Sequence, residues 1–174
     1  SCAEVAPSAV GKQLSIAGRV MARRDFGGVV FLRVRDFRGD CQVLLERDRA
    51  ESFDRLGDID LADLVYVEGE RGVSRNGEPS LLAARWAIEA KSLHPLPDKV
   101  HGLRDPEARA RNRHVDLAVG DDSRRVLRAR SAVLGSLRAS LAGDDFLEVE
   151  TPILQGVHGG ANARPFITHI NAYD

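Results

Sequence analysis

One face of a predicted strand combines an aromatic ring with arginines, in the stretch FLRVRDFRGDCQV at residues 31–43. Side chains alternate along a strand, so a core-facing Leu32 leaves Phe31 and Arg33 on the opposite face. On three neighbouring strands the same alternation predicts these outward-facing residues: Arg19, Met21 and Arg23, then Phe31, Arg33 and Arg35, then Gln42 and Leu44. A ring stacks on a base, arginines attract phosphates and an amide hydrogen-bonds a base edge. The set therefore predicts a surface for single-stranded nucleic acid.

Two other interpretations fit the same residues. Phe31 would be an ordinary packing residue if a later part of the chain covered it, and the arginines would then be solvated strand residues. An open barrel face of this kind also binds oligosaccharides in other proteins. The pattern alone leaves these alternatives open.

Five strand patterns, with a short helix between the third and fourth, must position this surface. The helix is predicted in RDRAESFDRLG, closed by Gly57, and Trp86 and Ile88 are predicted anchors of the last strand. This order is typical of an OB-fold, a small Greek-key barrel, and it is favoured over other small barrels. We predict a tail or leading segment at residues 1–11 and the barrel domain at residues 12–93.

The sequence after residue 93 predicts a linker and part of a second domain. Prolines and dense charge mark residues 94–120 as a linker leading into short helical turns. In residues 121–174 a helical apolar stripe is followed by FLEVETPIL, predicted as a strand over residues 146–154. These elements cannot bury a core alone, so we expect them to pack on the first domain or on another chain. The fold class is mainly β, with a barrel followed by a truncated α+β fragment.

Composition excludes several protein classes. The chain is 43% hydrophobic and 29% charged with a net charge of −1, as in ordinary soluble domains and unlike proteins that coat nucleic acid. No apolar run is long enough to span a bilayer. Cys2 and Cys41 supply no disulfide framework and, with five scattered histidines, no metal-ligand spacing, so a reducing cytoplasm is the expected compartment.

Three stretches resemble the class II lysyl-tRNA synthetases: PLPDKVHGLRDPEARARNRHVDL at 95–117, FLEVETPIL at 146–154 and GGANARPFITH at 159–169. The resemblance implies an OB domain that binds the anticodon of a lysine tRNA, followed by a catalytic domain. It implies that Phe31 stacks on the central anticodon base, that Gln42 reads that base, and that Arg19 or Arg23 makes a basic contact. Glu78, in the NGEP turn, corresponds to the acidic residue that distinguishes lysine anticodons.

The resemblance also assigns the second half of the chain. FLEVETPIL matches the first class II motif, which ends at Pro152 and builds the dimer interface, so a homodimer is implied for the full-length enzyme. The loop at Gly159, Gly160 and Ala161 is similar to the one that lines the lysine pocket. Full-length enzymes use ATP and Mg²⁺ through a second and third motif that this chain does not reach. We therefore expect no catalytic residue, no bound cofactor, no metal ligand and no activity in this fragment alone.

One departure narrows the resemblance. The lysine enzymes carry THHNALD where this chain has THINAYD, with Ile170 and Tyr173. In this respect the chain resembles the synthetase portion of actinobacterial bifunctional proteins that join a lysyl-tRNA synthetase to a lysylphosphatidylglycerol-making membrane domain. A cytoplasmic chain is then expected, associated with membrane only through that separate domain. The alternative functions are a generic single-strand-binding module and a dimerisation or structural fragment.

Overall fold

The first part of the chain folds into a closed five-stranded barrel. The structure is a computed structural model that describes residues 1–97, 102–156 and 164–173. The strands are β1 (Gln13–Asp25), β2 (Val29–Arg35), β3 (Asp40–Glu46), β4 (Leu64–Val73) and β5 (Pro79–Ala90). They close in the order β1-β2-β3-β5-β4, with β4 pairing back onto β1. The predicted five-stranded barrel is confirmed.

The helix predicted between β3 and β4 is a 3-10 helix, Phe53–Asp58, that ends one residue after Gly57. Phe53 and Leu56 on this helix are buried and join the barrel core. Trp86 and Ile88 are partly buried against that core. The apolar positions of the alternating strands therefore meet inside the barrel, as the sequence pattern predicts. The largest fully buried strand residues are Val20, Val30, Leu32, Val34, Val43, Leu45, Val65, Val67 and Leu81.

Residues 1–11 pack against the barrel as a leading segment. A short 3-10 helix, Cys2–Glu4, begins it, and both Cys2 and Val5 are buried in the core. The buried guanidinium of Arg71 holds the segment in place, with Nε donating to the carbonyl of Val5 at 3.2 Å and Nη2 to that of Ala6 at 3.4 Å. Backbone carbonyls on the segment thus satisfy a buried charge that would otherwise be costly.

A β-bulge at Met21 changes which side chains of β1 face outward. The pairing of β1 with β2 shifts by one residue there, and beyond it Arg23 lies opposite Leu32 while Arg24 lies opposite Phe31. Residues directly opposite each other in an antiparallel pair share a face of the sheet. The prediction that Arg23 faces outward with Phe31 is therefore wrong, because the extra residue reverses the alternation. Arg24 occupies that place instead.

Two glycines allow neighbouring strands to pass close together. A Cβ atom on Gly69 would lie 2.1 Å from the carbonyl oxygen of Leu82, and one on Gly18 would lie 2.5 Å from that of Arg35. Both distances are shorter than any side chain permits. Glycine at these positions therefore lets the long strands β1, β4 and β5 coil tightly enough for the barrel to close.

In the part of the chain that the structure describes after the barrel lie three α-helices: α1 (Pro106–Arg111), α2 (Arg113–Val119) and α3 (Asp121–Gly143). Asp105 caps α1, accepting a hydrogen bond from the backbone N–H of Ala108 at 2.8 Å. The chain forms two compact units, Ser1–Asp121 and Asp122–Asp174. None of the three helices, nor any other helix among the described residues, has the length and apolar character needed to cross a bilayer.

The strand predicted over residues 146–154 is not present, because no neighbouring strand forms a ladder with it in the described part of the second unit. Along α3 the apolar stripe is exposed. Its members are Val126, Leu127, Val133, Leu134, Leu137 and Leu141.

Candidate nucleic-acid interface

Two cavities on the barrel surface share four lining residues. Their volumes are about 320 and 770 Å³, and both are lined by Arg24, Phe31, Gln42 and Glu78. We call the surface formed by these four residues and the two cavities the Phe31 groove. The structure thus brings together three of the predicted site residues, Phe31, Gln42 and Glu78. Arg33 lines the smaller cavity, whereas Arg19 and Arg23 line neither.

Gln42 is buried in the floor of the groove, with only 9% of its surface exposed. The alternation predicted a solvent-facing amide, but β3 lies between β2 and β5, so Gln42 is flanked by Arg33 on one side and by Ser80 on the other. The Nε2 group donates to the hydroxyl of Ser80 at 2.9 Å, and that hydroxyl donates to the backbone carbonyl of Glu78 at 2.9 Å. The amide oxygen of Gln42 has no hydrogen-bond donor among the described residues. Ser80 therefore fixes the orientation of the Gln42 amide and leaves the amide oxygen free to accept a further hydrogen bond.

Arg24 is an exposed cation of the groove. Its side chain forms no ion pair or hydrogen bond with the described residues, and it lies opposite the half-buried Phe31 in the β1–β2 pair. It was not predicted as a site residue because the bulge could not be seen in the sequence. The sequence signal that could have pointed to Arg24 was the pair of adjacent arginines, Arg23 and Arg24. Adjacent side chains on a strand point to opposite faces, so one of the two must face outward in either register.

Arg33 and Arg35 share the outer face of β2 with Phe31 but are held by a carboxylate. Arg33 Nε donates to Asp40 at 2.7 Å, and Arg35 donates to both oxygens of the same carboxylate. Arg35 Nη2 also lies 3.5 Å from Asp121. Burial disfavours ionisation of Asp40, but the hydrogen bonds from Arg35 and Arg33 outweigh it and lower the pKa of Asp40. Much of the positive charge on this face is therefore compensated inside the protein.

Arg19 and Arg23 hold the loop that precedes β4. Arg19 Nη1 donates to the carbonyl of Ala62 at 2.7 Å, and Arg23 Nη1 donates to that of Ile59 at 3.2 Å. Arg23 Nη2 also contacts Asp25 at 3.1 Å. Both side chains thus bind backbone of their own chain. Their predicted contacts with RNA remain predictions.

Glu78 lies at the end of a well-defined hairpin turn between β4 and β5. The backbone N–H of Ser74 donates to its carbonyl at 2.9 Å, and its own N–H donates to the Ser74 hydroxyl at 3.2 Å. Gly77 takes the positive φ that the turn requires, +81°. The Glu78 carboxylate is exposed and forms no ion pair with any residue the structure describes, so its acceptor oxygens are available at the groove.

The other predicted sites lie in the second unit. Gly159, Gly160 and Ala161 fall outside the described residues, and Pro152 is exposed. Within residues 1–97, 102–156 and 164–173 no group of three or more histidine, cysteine, aspartate or glutamate side chains could hold a metal ion. No chemical step is assigned to the described residues.

Family models match both halves of the chain. Residues 14–89 match the OB-fold nucleic acid binding domain, and residues 105–174 match the class II tRNA synthetases of the D, K and N group. The chain belongs to the class II tRNA synthetases. The OB-fold and the family inferred from the three quoted stretches are thus confirmed.

Curated relatives of this class II synthetase chain bear the name lysylphosphatidylglycerol biosynthesis bifunctional protein LysX. The protein of Rhodococcus opacus is 58% identical over 175 residues, covering 98% of this chain and 16% of the relative. The protein of Nocardia farcinica is 55% identical, covering 94% of this chain and 15% of the relative, and that of Mycobacterium avium is 52% identical, covering 94% and 14%. The chain spans about one sixth of the length of these relatives.

Proposed function

We propose that the barrel binds the anticodon of a lysine tRNA, as the recognition domain of a lysine–tRNA ligase. One observation carries the proposal: the Phe31 groove combines a stacking ring, an oriented amide, an unpaired arginine and a free carboxylate on one face of an OB-fold. Each group has a partner on a single-stranded nucleotide, respectively the base face, the base edge, the phosphate and a base N–H.

The orientation of Gln42 supports uracil as the central base. Its free amide oxygen accepts a hydrogen bond, and uracil offers the N3–H donor at its Watson–Crick edge. Cytosine presents an acceptor at the same position, which would face the amide oxygen without a hydrogen. Aspartate, lysine and asparagine anticodons share a central uracil, so this contact does not choose among them. Selection of lysine falls to a neighbouring base, for which the Glu78 carboxylate is the available acceptor.

The activity of the whole protein is also a proposal. We infer that a complete class II domain, acting as a homodimer, forms lysyl-adenylate from lysine and ATP with Mg²⁺ and transfers lysine to the tRNA. The names of the relatives support lysylphosphatidylglycerol synthesis as the use of that lysine. The recognition domain would then work in the cytoplasm, joined to the membrane through a separate domain. Gly159, Gly160 and Ala161 would line the lysine pocket, and Pro152 would belong to the dimer interface.

The test measures binding of the 174-residue chain to a labelled lysine anticodon stem-loop by fluorescence anisotropy. Phe31→Ala should weaken binding by about 5- to 150-fold, since stacking on one base is worth about 1–3 kcal/mol. Phe37→Ala is the matched control, because Phe37 is 81% exposed on the β2–β3 turn and lines neither cavity of the groove. It should leave affinity within about twofold of the unmodified chain, as expected for a surface change outside the site.

A second stem-loop, with cytosine in place of the central uracil, separates the candidate functions. Weaker binding to this loop would support anticodon recognition. Equal binding to both loops would favour a generic single-strand-binding module. Absence of binding to either loop at low salt would contradict a nucleic-acid role for the Phe31 groove.

A further inference from the structure

A second phenylalanine lies beside Phe31 at the rim of the larger cavity. Phe26, in the β1–β2 turn, is 67% exposed, and its ring centroid is 5.7 Å from that of Phe31 with the two planes at 90°. Contact with Phe31 covers only a minor part of its surface. Most of one large apolar ring is therefore presented to solvent directly next to the predicted stacking ring.

The turn that carries Phe26 is held by hydrogen bonds. The N–H of Phe26 donates to the carbonyl of Val29 at 3.0 Å, and that of Gly28 donates to the carbonyl of Phe26 at 3.0 Å. The Asp25 carboxylate accepts from the N–H of Gly27 at 2.9 Å, and this glycine takes a φ of +79°. Asp25 is in turn bound by Arg23. An ordered turn presents the ring at a defined place, which lowers the entropy cost of binding against it.

The cavity beside Phe26 has room and charge for more than one base. Its volume is about 770 Å³, within the range of pockets that enclose a whole small-molecule ligand. Arg24 lies two residues before Phe26 and directly opposite Phe31 in the β1–β2 pair, and Arg75 and Asn76 of the β4–β5 turn form another part of the wall. In OB-folds the loops between these strand pairs contact oligonucleotides. Phe26 thus stands where a nucleotide neighbouring the one on Phe31 would lie.

We propose that Phe26 is a second stacking platform, which binds a base adjacent to the central anticodon base. This inference rests on the proposed function of the same groove. The two rings are perpendicular, so a base lying flat on Phe26 is turned by about 90° from one lying flat on Phe31. Neighbouring bases in a helical stack are parallel and cannot fit both platforms. The groove therefore selects a loop whose adjacent bases are splayed apart, and the exposed guanidiniums of Arg24 and Arg75 meet the phosphates that link them.

The test is a double-mutant cycle between Phe26 and single bases of the loop. The lysine anticodon stem-loop is prepared intact and with an abasic residue at the central position or at either neighbour, and each is titrated against the unmodified chain and Phe26→Ala. We expect Phe26→Ala to weaken binding of the intact loop by about tenfold. The loss of affinity caused by Phe26→Ala should fall below about twofold on one of the two loops that lack a neighbour of the central base. On that loop the base that stacks on Phe26 is already absent, so removing the ring has nothing further to remove.

Two variants keep the test specific. Phe26→Leu retains an apolar side chain without a ring face, so it should lose most of the affinity that Phe26→Ala loses. Phe31→Ala should instead couple to the central base, and its failure to affect binding would contradict the proposed function itself rather than the second platform. Thermal unfolding of Phe26→Ala should match that of the unmodified chain within a few degrees, since the ring is mostly exposed.

Other outcomes would overturn the inference. If the loss caused by Phe26→Ala vanished only on the loop without its central base, Phe26 would be a positioning residue that holds the edge of Phe31. If Phe26→Ala bound every loop as the unmodified chain does, the ring would be an exposed residue without a ligand. Restoration of full affinity by Phe26→Leu would show that apolar contact, and not stacking, is what the position supplies.

Discussion

Two neighbouring regions of the barrel surface both contain outward-facing arginines, but only in one of them are the arginines paired with a carboxylate of the same chain. In the Phe31 groove, Arg24 is exposed without a protein partner among the described residues. A few residues along β2, Arg33 and Arg35 share one carboxylate, Asp40, and we call these three residues the Asp40 cluster. The cluster borders the groove, because Arg33 and Asp40 also line the smaller cavity. Both regions face outward and both are rich in arginine. If the groove binds RNA as proposed, the two regions differ in whether the chain itself already pairs the guanidinium.

The two regions should serve different purposes. An unpaired, exposed guanidinium is hydrated in the free protein. The favourable energy of its ion pair with a phosphate is therefore gained only when RNA binds. The Arg35 side chain is only 13% exposed and already makes two hydrogen bonds to Asp40, so its pairing energy contributes to folding. We therefore expect changes in the groove to alter RNA binding and changes in the Asp40 cluster to alter stability.

The largest expected effect comes from removing the charge of Asp40. Asp40→Asn leaves Arg33 without its carboxylate partner and Arg35 with only the more distant Asp121. Loss of the charge-assisted hydrogen bonds to Asp40 should lower the free energy of unfolding by about 2 kcal/mol near neutral pH. Urea denaturation measures this difference. Asp48→Asn is the control, because Asp48 is exposed and forms no ion pair with a described residue; it should change stability by less than about 0.5 kcal/mol.

The pH dependence of the same variant gives an independent check. Because the folded pKa of Asp40 is lowered, its contribution to stability is present above the unfolded pKa of about 3.9 and is lost as pH falls through the folded value. The stability difference between the unmodified chain and Asp40→Asn should therefore narrow on acidification below about pH 4. A difference that stayed constant down to pH 2 would show that the Asp40 cluster does not stabilise the barrel through its charge.

A smaller effect should separate the two regions in RNA binding. Arg24→Gln should weaken binding of the lysine stem-loop by about fivefold and reduce the salt dependence by about one counterion, because an unpaired cation is lost. Arg33→Gln is the matched comparison on the same outer face and should cost less than about twofold, since Asp40 already compensates that charge. Anisotropy titrations at several salt concentrations measure both quantities. Equal losses of RNA affinity in Arg24→Gln and Arg33→Gln would contradict the distinction between the Phe31 groove and the Asp40 cluster.

The sequence alone predicted the barrel because its signal is local. Alternating apolar residues identify each strand without knowledge of its neighbour, and the same alternation correctly placed Phe31 and Arg33 on the outer face of β2. The exchange of Arg23 for Arg24 was not predictable, since a bulge depends on how β1 registers with β2 and not on the residues at the bulge.

The burial of Gln42 and the missing strand at residues 146–154 have a similar cause. Gln42 is covered because β5, almost forty residues later in the chain, pairs with β3 in parallel, and no local pattern contains that crossover. A strand exists only with a hydrogen-bonded neighbour, so an extended apolar segment such as FLEVETPIL does not predict one by itself. Resemblance to a family supplied Glu78, which no alternation identifies because it lies in a turn.

The smallest effect that we predict concerns selectivity more than affinity, and it tests whether the groove reads a base or only holds it. Ser80→Ala removes the acceptor that fixes Nε2 of Gln42, so the amide can rotate and present either its oxygen or its nitrogen to the groove. Affinity for the uracil-centred loop should fall by no more than about threefold, whereas the preference for uracil over cytosine should shrink by a similar factor, because a rotated amide can also donate to cytosine. Ser15→Ala, at an exposed position of β1, should leave both quantities unchanged. A preference that survives Ser80→Ala intact would mean that the Gln42 amide does not depend on Ser80 for its orientation, and that the groove distinguishes the two pyrimidines by another contact.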